Sequence, residues 1–332
     1  MGNTYSQGFP PKSRFTVEQI PDLTGQVVIV TGGREGNMQG ESLSISHTVA
    51  PKSRLLHALL NKNAKVYLAA RSKSRADEAI EWLKSDTNGK APIFLELDLG
   101  NLASVRKAAE EFKSKEQELH VLFNNAGVMV PPVDQRTADG YDLQFGTNVL
   151  GHYFFTILLL PTLIHTAKNS PLAHGHARVI NTSSSAVYYI PKGGVAWETL
   201  GTDATSVQAA KKLGAGALYA QSKMGNVLFS NELAKRYADQ GIISSSLNPG
   251  NLQTDLQRHL PQIFAKILGF FLYPASYGAL TQLWSGTTPE GENHNGKFLI
   301  PWARVGDAGP LSHDEKLAEK LWTWLEEQVK GH

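Results

Sequence analysis

The stretch that most limits the fold is residues 26–31, Gln-Val-Val-Ile-Val-Thr, a continuous run of apolar, β-branched side chains. A half-exposed strand would alternate apolar and polar residues, so an unbroken run suits a strand buried on both faces. Behind it, strand-like and helix-like stretches take turns. Strands are predicted over 65–69, 92–97, 119–123, 177–181, 242–247 and 297–300. Helices are predicted over 75–83, 102–112, 144–164, 275–284 and 314–329, and around the segment that holds Tyr219, Lys223, Val227, Phe229 and Leu233. This alternation predicts an α/β fold: one domain over residues 25–332, with a doubly wound parallel sheet covered by helices on both faces. Residues 1–24 read as an extension that wraps the surface. Trp322 and Trp324 of the last helix read as packing residues.

In such a sheet a ligand binds at the carboxyl ends of the strands. The loops at those ends carry the unusual residues: Thr31-Gly32-Gly33-Arg34-Glu35-Gly36, Ala70-Arg71-Ser72, Leu97-Asp98-Leu99, Asn124-Asn125-Ala126-Gly127, Thr182-Ser183-Ser184-Ser185 and Asn248-Pro249-Gly250-Asn251-Leu252-Gln253-Thr254. Any one of them could be turn chemistry. Six at one end of one sheet point to a site.

Tyr219 and Lys223 stand four residues apart, so on a helix they project from one face about one turn apart. An ammonium near a phenol favours the phenolate and predicts a lowered pKa for Tyr219. A phenol tuned in this way exchanges a proton with an alcohol or carbonyl oxygen. Taken alone, the pair is more simply read as an exposed helical face with no function.

Composition removes several classes of function. Lys and Arg total 32 against 30 Asp and Glu, which gives no basic patch for nucleic acid. With no cysteine, disulfides and thiolate metal sites are excluded. His174-Gly175-His176 has a spacing that can bind a metal but no partner acids, so no metal is expected. The apolar runs 153–164, interrupted by Pro161, and 263–273, containing Lys266, are too short to span a bilayer. The opening residues do not form a signal peptide, and the expectation is a soluble cytoplasmic protein. Met1-Gly2-Asn3-Thr4-Tyr5-Ser6 matches the loose N-myristoylation pattern, which many cytosolic proteins match by chance.

Asp98-Leu99, Asn124-Asn125-Ala126-Gly127, Asn148, Ser184, Tyr219-x-x-x-Lys223 and Pro249-Gly250 follow one another in a distinctive order. On these residues the chain resembles a short-chain dehydrogenase/reductase, in the branch similar to retinol dehydrogenases and their fungal relatives, from about Asp22 to the last helix. The resemblance implies a Rossmann-like fold. It implies Tyr219 as proton donor or acceptor, with Lys223 lowering its pKa and holding the nicotinamide ribose. Ser184 would bond the substrate oxygen, with Ser183 as the competing serine, and Asn148 would support a water that relays protons to Lys223. On the cofactor side it implies Gly32 and Gly36 at the phosphates, Asp98 at the adenine amino group and Leu99 beside the ring. Asn125, Ala126 and Gly127 would line the cofactor, and Thr254 would meet the nicotinamide amide with Leu252 nearby. A carboxylate after the second strand would read NAD, and a cation would read the 2′-phosphate of NADP. Arg71 stands there, with Lys73 and Arg75 behind it and no acid before Asp77, which favours NADP over NAD. A solvated basic loop is the plainer reading of the same residues.

One departure stands out. The family pattern Thr-Gly-x-x-x-Gly-x-Gly runs straight into a helix that receives the pyrophosphate. Here Met38 replaces the last glycine, and residues 37–54 form an atypical insertion that ends in a helix beginning near Pro51, with Leu55, Leu56, Leu59 and Leu60 facing the sheet. The segment is either a genuine insertion or the product of a misplaced gene boundary. The expectation is a poorly ordered loop at the cofactor rim.

The leading functional reading is an NADP(H)-dependent oxidoreductase that interconverts an alcohol and a ketone or aldehyde on a lipophilic small molecule, such as a terpenoid or polyketide in a tailoring pathway. The other reading is a family member that binds ligand or partner without turnover because its glycine loop is disrupted. Residues 185–213 and 255–274 are the expected substrate-side loops. Tyr188, Tyr189, Ile190, Pro191 and Trp197 are weighed equally as an entrance lining and as loop packing. The apolar run 263–273 suits a lid, a membrane contact or a subunit contact, and homo-oligomerisation is compatible with it but not required.

Overall fold

The computed structural model of the chain describes residues 6–32, 51–252 and 273–332. Its centre is one eight-stranded sheet in the order β3-β2-β1-β4-β5-β6-β7-β8. The strands are β1 (Val27–Thr31), β2 (Lys65–Ala70), β3 (Ile93–Glu96), β4 (Val121–Asn124), β5 (Ala177–Thr182), β6 (Ile242–Leu247), β7 (Phe298–Ile300) and β8 (Arg304–Gly306). Neighbours from β3 through β7 pair in parallel, and β8 returns antiparallel to β7. β1 lies in the middle, and every residue of it is buried. Val27 and Ile29 pack into one helical layer, while Val28 and Val30 pack into the other. The period of two along a strand makes this division, which explains why the run has no polar member before Thr31.

The helices are α1 (Pro51–Asn61), α2 (Lys73–Asp86), α3 (Leu102–Lys115), α4 (Leu143–Asn169), α5 (Ala204–Leu213), α6 (Ala215–Tyr237), α7 (Leu280–Thr287) and α8 (Glu315–Gln328). α3, α4, α6 and α8 share one buried cluster, and α1, α2 and α7 share the other. In α1 the four leucines at 55, 56, 59 and 60 are buried, as their spacing predicts. The insertion expectation otherwise falls on residues 33–50, outside the described residues, and so does most of the 255–274 loop.

Several features differ from the sequence reading. The helix expected over 144–164 runs on through Pro161 to Asn169. Pro161 is exposed, so the hydrogen bond it forgoes lies on the solvent side, while Leu160 and Leu163 beside it stay buried. α4 is apolar and long enough to cross a membrane by composition, yet its most apolar window is mostly buried in this fold. It also holds a π-helical turn at Gly146–Gly151. Residues 6–24 are more than a surface wrap, because Phe15, Ile20, Leu23 and the polar Gln7 are buried. α5 and β8 were not anticipated. α5 starts on Asp203, whose carboxylate accepts from Thr205 and Ser206 backbone N–H groups, but buries only Ser206 and Ala210, too little for a clear helical period. Trp322 packs edge-on to Tyr153 at 5.1 Å between ring centres, a core role as expected.

The base of the sheet carries a pH-dependent element. His294 is buried against Trp284, its Nδ1 3.1 Å from Ser285 Oγ. Burial, with Arg178 nearby, lowers its pKa from 6.5 to about 4. Between those values the unfolded chain takes up a proton that the folded chain refuses, so stability falls as the pH drops through this window. At about 1.4 kcal/mol per unit, the loss is roughly 3 kcal/mol. Denaturant titrations at pH 7 and pH 4 should show it, and His294→Gln should flatten the difference. An unchanged pH slope in the variant would refute the assignment.

Candidate active site

The order of strands reverses at β1, where β2 and β3 lie to one side and β4 to β8 to the other. This opens a crevice at the carboxyl ends of β1 and β4. α6 delivers Tyr219 and Lys223 to the adjoining ends of β4 and β5. Lys223 is buried, and its Nζ donates to Thr182 O at 3.1 Å. Asn226, one turn further on, donates to the same carbonyl at 3.0 Å. The last residue of β5 thus holds two side chains of α6 on one oxygen. The sequence reading missed Asn226, although the Lys223-x-x-Asn226 spacing places both on one helical face.

The two serines separate cleanly. Ser183 is buried, and its Oγ donates to the backbone O of Lys223 at 2.7 Å, tying β5 to α6. Ser184 faces the other way, as alternation along an extended chain requires. Its Oγ accepts from Ala186 N at 3.1 Å and hydrogen-bonds Tyr219. The structure thus brings Ser184 to Tyr219, whereas the competing Ser183 ties β5 to α6.

The expected lowering of the Tyr219 pKa does not appear in this structure. Burial raises it, and the Ser184 bond only partly opposes that. The Lys223 ammonium lies 5.7 Å from the centre of the Tyr219 ring and is engaged with Thr182 O. It sits over the ring face, where it attracts the π-cloud more than it stabilises a phenolate oxygen. The phenol is therefore neutral at neutral pH.

Asn148 lies in the π-helical turn and is fully buried. Its Oδ1 accepts from Val128 N at 2.8 Å, while Nδ2 donates to Val128 O and to Ser222 Oγ, both at 3.0 Å. Its backbone O is 3.0 Å from His152 Nδ1. A carbonyl can only accept, so that nitrogen carries the proton, and Nε2 is left to accept from Thr31 Oγ1 at 2.9 Å. Thr31 Oγ1 in turn accepts from the backbone N–H groups of Asn125 and Ala126 at 2.9 and 3.0 Å. His152 thereby links the end of β1, the Asn124–Gly127 loop and Asn148. It is a second residue absent from the sequence reading, which had only its i, i+4 relation to Asn148 as a signal.

On the other side of the crevice, Gly32, Arg71, Asp98, Leu99, Ala126 and Gly127 line one cleft with Ala69, Ala70 and Thr147. Asp98 Oδ1 accepts from Gly100 N at 2.9 Å, which fixes the loop after β3. A Cβ on Gly127 would lie 3.0 Å from Asn148 Oδ1 and 3.4 Å from Lys223 Nζ, so a larger residue would have to shift these two side chains. Asn125 supports the cleft from behind. Its Nδ2 donates to Thr31 O at 3.1 Å and its Oδ1 accepts from Gln282 at 3.2 Å. Leu252 is buried against Gly278. Gly36 and Thr254 lie outside the described residues. Arg71 is exposed at the end of β2, and Lys73 behind it is paired with Asp77 at 2.7 Å. Of the entrance aromatics, Tyr189 is 72% exposed, whereas Trp197 packs on the core under Lys320 and does not open to a site. Among the described residues, no group of three acidic or histidine side chains could hold a metal.

A family model described as short chain dehydrogenase matches residues 53–197. A short-chain dehydrogenase/reductase of Armillaria gallica is 52% identical over 100% of both chains. The chain belongs to the short-chain dehydrogenase/reductase family of oxidoreductases. An uncharacterised Mycobacterium paratuberculosis protein shares its fold at a TM-score of 0.67 and 24% identity, covering 96% of this chain and 98% of that one. The NADP complex of Pseudomonas aeruginosa RhlG does so at 0.60 and 22%, covering 84% and 95%. The described half of the crevice fits a nicotinamide dinucleotide. Its walls are small residues that admit a close backbone approach, with Arg71 at the end of β2.

Proposed function

We propose that the chain is an NADP(H)-dependent oxidoreductase that interconverts an alcohol and a ketone or aldehyde on a lipophilic small molecule, in a tailoring step of the terpenoid or polyketide kind. The observation that carries this reading is the convergence of Ser184, Tyr219, Lys223 and Asn148 at the ends of β4 and β5 beside the cleft. A bound nicotinamide supplies or accepts the hydride. Tyr219 gives its proton to the substrate oxygen in reduction and takes one back in oxidation. Ser184, already bonded to Tyr219, orients that oxygen. Lys223 would hold the ribose hydroxyls of the bound nucleotide, and Asn148 would support the proton path behind it. The exposed ring of Tyr189 gives the mouth an apolar lip suited to a hydrophobic substrate.

Arg71 supports NADP over NAD, since a guanidinium can make two charge-assisted bonds to a 2′-phosphate. Arg71→Ala should weaken NADPH by about tenfold or more, about 1.4 kcal/mol, and leave NADH within about twofold. Fluorescence titration with both nucleotides checks this, and equal losses would remove Arg71 from cofactor choice.

A further inference from the structure

The N-terminal segment reaches the substrate end of the molecule. Residues 6–8 form a single helical turn there, and Gln7 in it is 3% exposed. Gln7 Nε2 donates to Tyr188 Oη at 2.7 Å, and its Oε1 accepts from Asn248 Nδ2 at 2.9 Å. Both partners are set by the catalytic architecture. Tyr188 lies in the short helical turn Ser185–Tyr189 that directly follows Ser184 and packs on α6. Asn248 is the first residue after β6, and its Oδ1 accepts from Gly250 N at 3.0 Å.

The directions of these bonds follow from one of them. The Tyr188 hydroxyl gives its proton to the backbone O of Asp307, so it can only accept from Gln7. The Gln7 amide must then turn its oxygen toward Asn248, which fixes its orientation. The helical turn is also held from outside, because Arg304 Nη2 donates to Ser6 O at 2.8 Å. One buried amide thus joins the loop after β5 to the loop after β6, and the Tyr188 hydroxyl carries the link on to the segment after β8. These are the strand ends on the far side of Tyr219 from the cofactor cleft.

We propose that the N-terminal turn is a fixed wall of the substrate end, and that Gln7 is a positioning residue that sets the gap between the Ser185–Tyr189 turn and the Asn248–Gly250 loop. The proposal rests on the oxidoreductase reading above for the meaning of the gap, but its geometry does not. Removing the amide leaves Asn248 Nδ2 and Tyr188 Oη each short of a buried partner, a loss that loosens both loops.

The test uses full-length protein saturated with NADPH and two variants. In Gln7→Ala, hydrogen exchange at the amides of Ala186, Val187 and Gly250 should quicken by about tenfold. Gln7→Glu retains an acceptor for Asn248 but offers none of the donor that Tyr188 needs, so exchange should quicken at 186 and 187 and hold at Gly250. With cyclohexanone and decalone as probe ketones, the Gln7→Ala ratio of kcat/KM should move toward the bulkier ketone by about fivefold, about 1 kcal/mol. Unchanged exchange in both variants, or changed exchange with an unchanged ketone ratio, overturns the proposal. If the wild-type protein reduces neither ketone, the oxidoreductase reading falls for these probes, and the exchange pattern alone decides whether Gln7 positions the two loops.

Discussion

Tyr219→Phe is expected to lower kcat by about 10²–10⁴-fold while the protein stays folded and still binds NADPH. The ring keeps its place on α6, and Ser184 Oγ retains Ala186 N as a partner. Lys223 does not depend on the hydroxyl, because Thr182 O holds its ammonium. What disappears is the proton at the end of a half-buried phenol whose pKa desolvation has raised. A neutral phenol at neutral pH is the form that can donate, so the loss should appear in kcat and kcat/KM together rather than in KM. Steady-state rates with NADPH and a reducible ketone measure it, and a variant within about tenfold of wild type would remove Tyr219 from the chemistry.

The second large effect belongs to Gly151, in the π-helical turn of α4. A Cβ there would sit 2.2 Å from Leu99 O and 3.0 Å from Leu99 C and Cβ. Backbone cannot yield as a flexible side chain can, so Gly151→Ala must push the loop after β3 away from α4. We expect a cost of about 3 kcal/mol, near the top of the usual range for overpacking. That corresponds to a fall in Tm of roughly 5 °C. The displaced loop carries Asp98 and Leu99 of the cofactor cleft, so NADPH affinity should fall with stability. Gly216→Ala is the control. Nothing lies within 4 Å of its Cβ and it stands inside α6, so it should be neutral or slightly stabilising. Calorimetry on the pair decides the matter, and equal Tm values would show that Gly151 is not under this constraint.

The framework was legible because burial on both faces of a sheet leaves a simple trace in sequence. β1 has no polar residue between Val27 and Val30, and β6, predicted over 242–247, spans those residues in the structure. The site was legible where one short motif fixes one local geometry, as with Tyr219 and Lys223 on a helix or Gly127 at a close approach. What escaped depends on partners far away in the chain. His152 gains meaning from Thr31, 121 residues earlier, and Gln7 gains it from Asn248, 241 residues later. The direction of the Tyr219 pKa shift was misjudged for a related reason. Spacing places an ammonium near the ring, but only the folded chain shows that it is engaged by Thr182 O and that burial outweighs it. Ser183 and Ser184 are indistinguishable in composition and separate only once the Ser183 hydroxyl is seen bonded to the backbone of α6.

The most direct test of the account is deuterium transfer. The wild-type protein is incubated with NADPH carrying deuterium at C4 of the nicotinamide, together with a lipophilic ketone such as decalone, and the product alcohol is analysed by mass spectrometry and NMR. The account predicts one deuterium on the carbinol carbon, from one face of the nicotinamide only, and about 10²–10⁴-fold less labelled alcohol in the same time when Tyr219→Phe replaces the wild type. Tight NADPH binding with no deuterium in any product, or no NADPH binding at all, would contradict it.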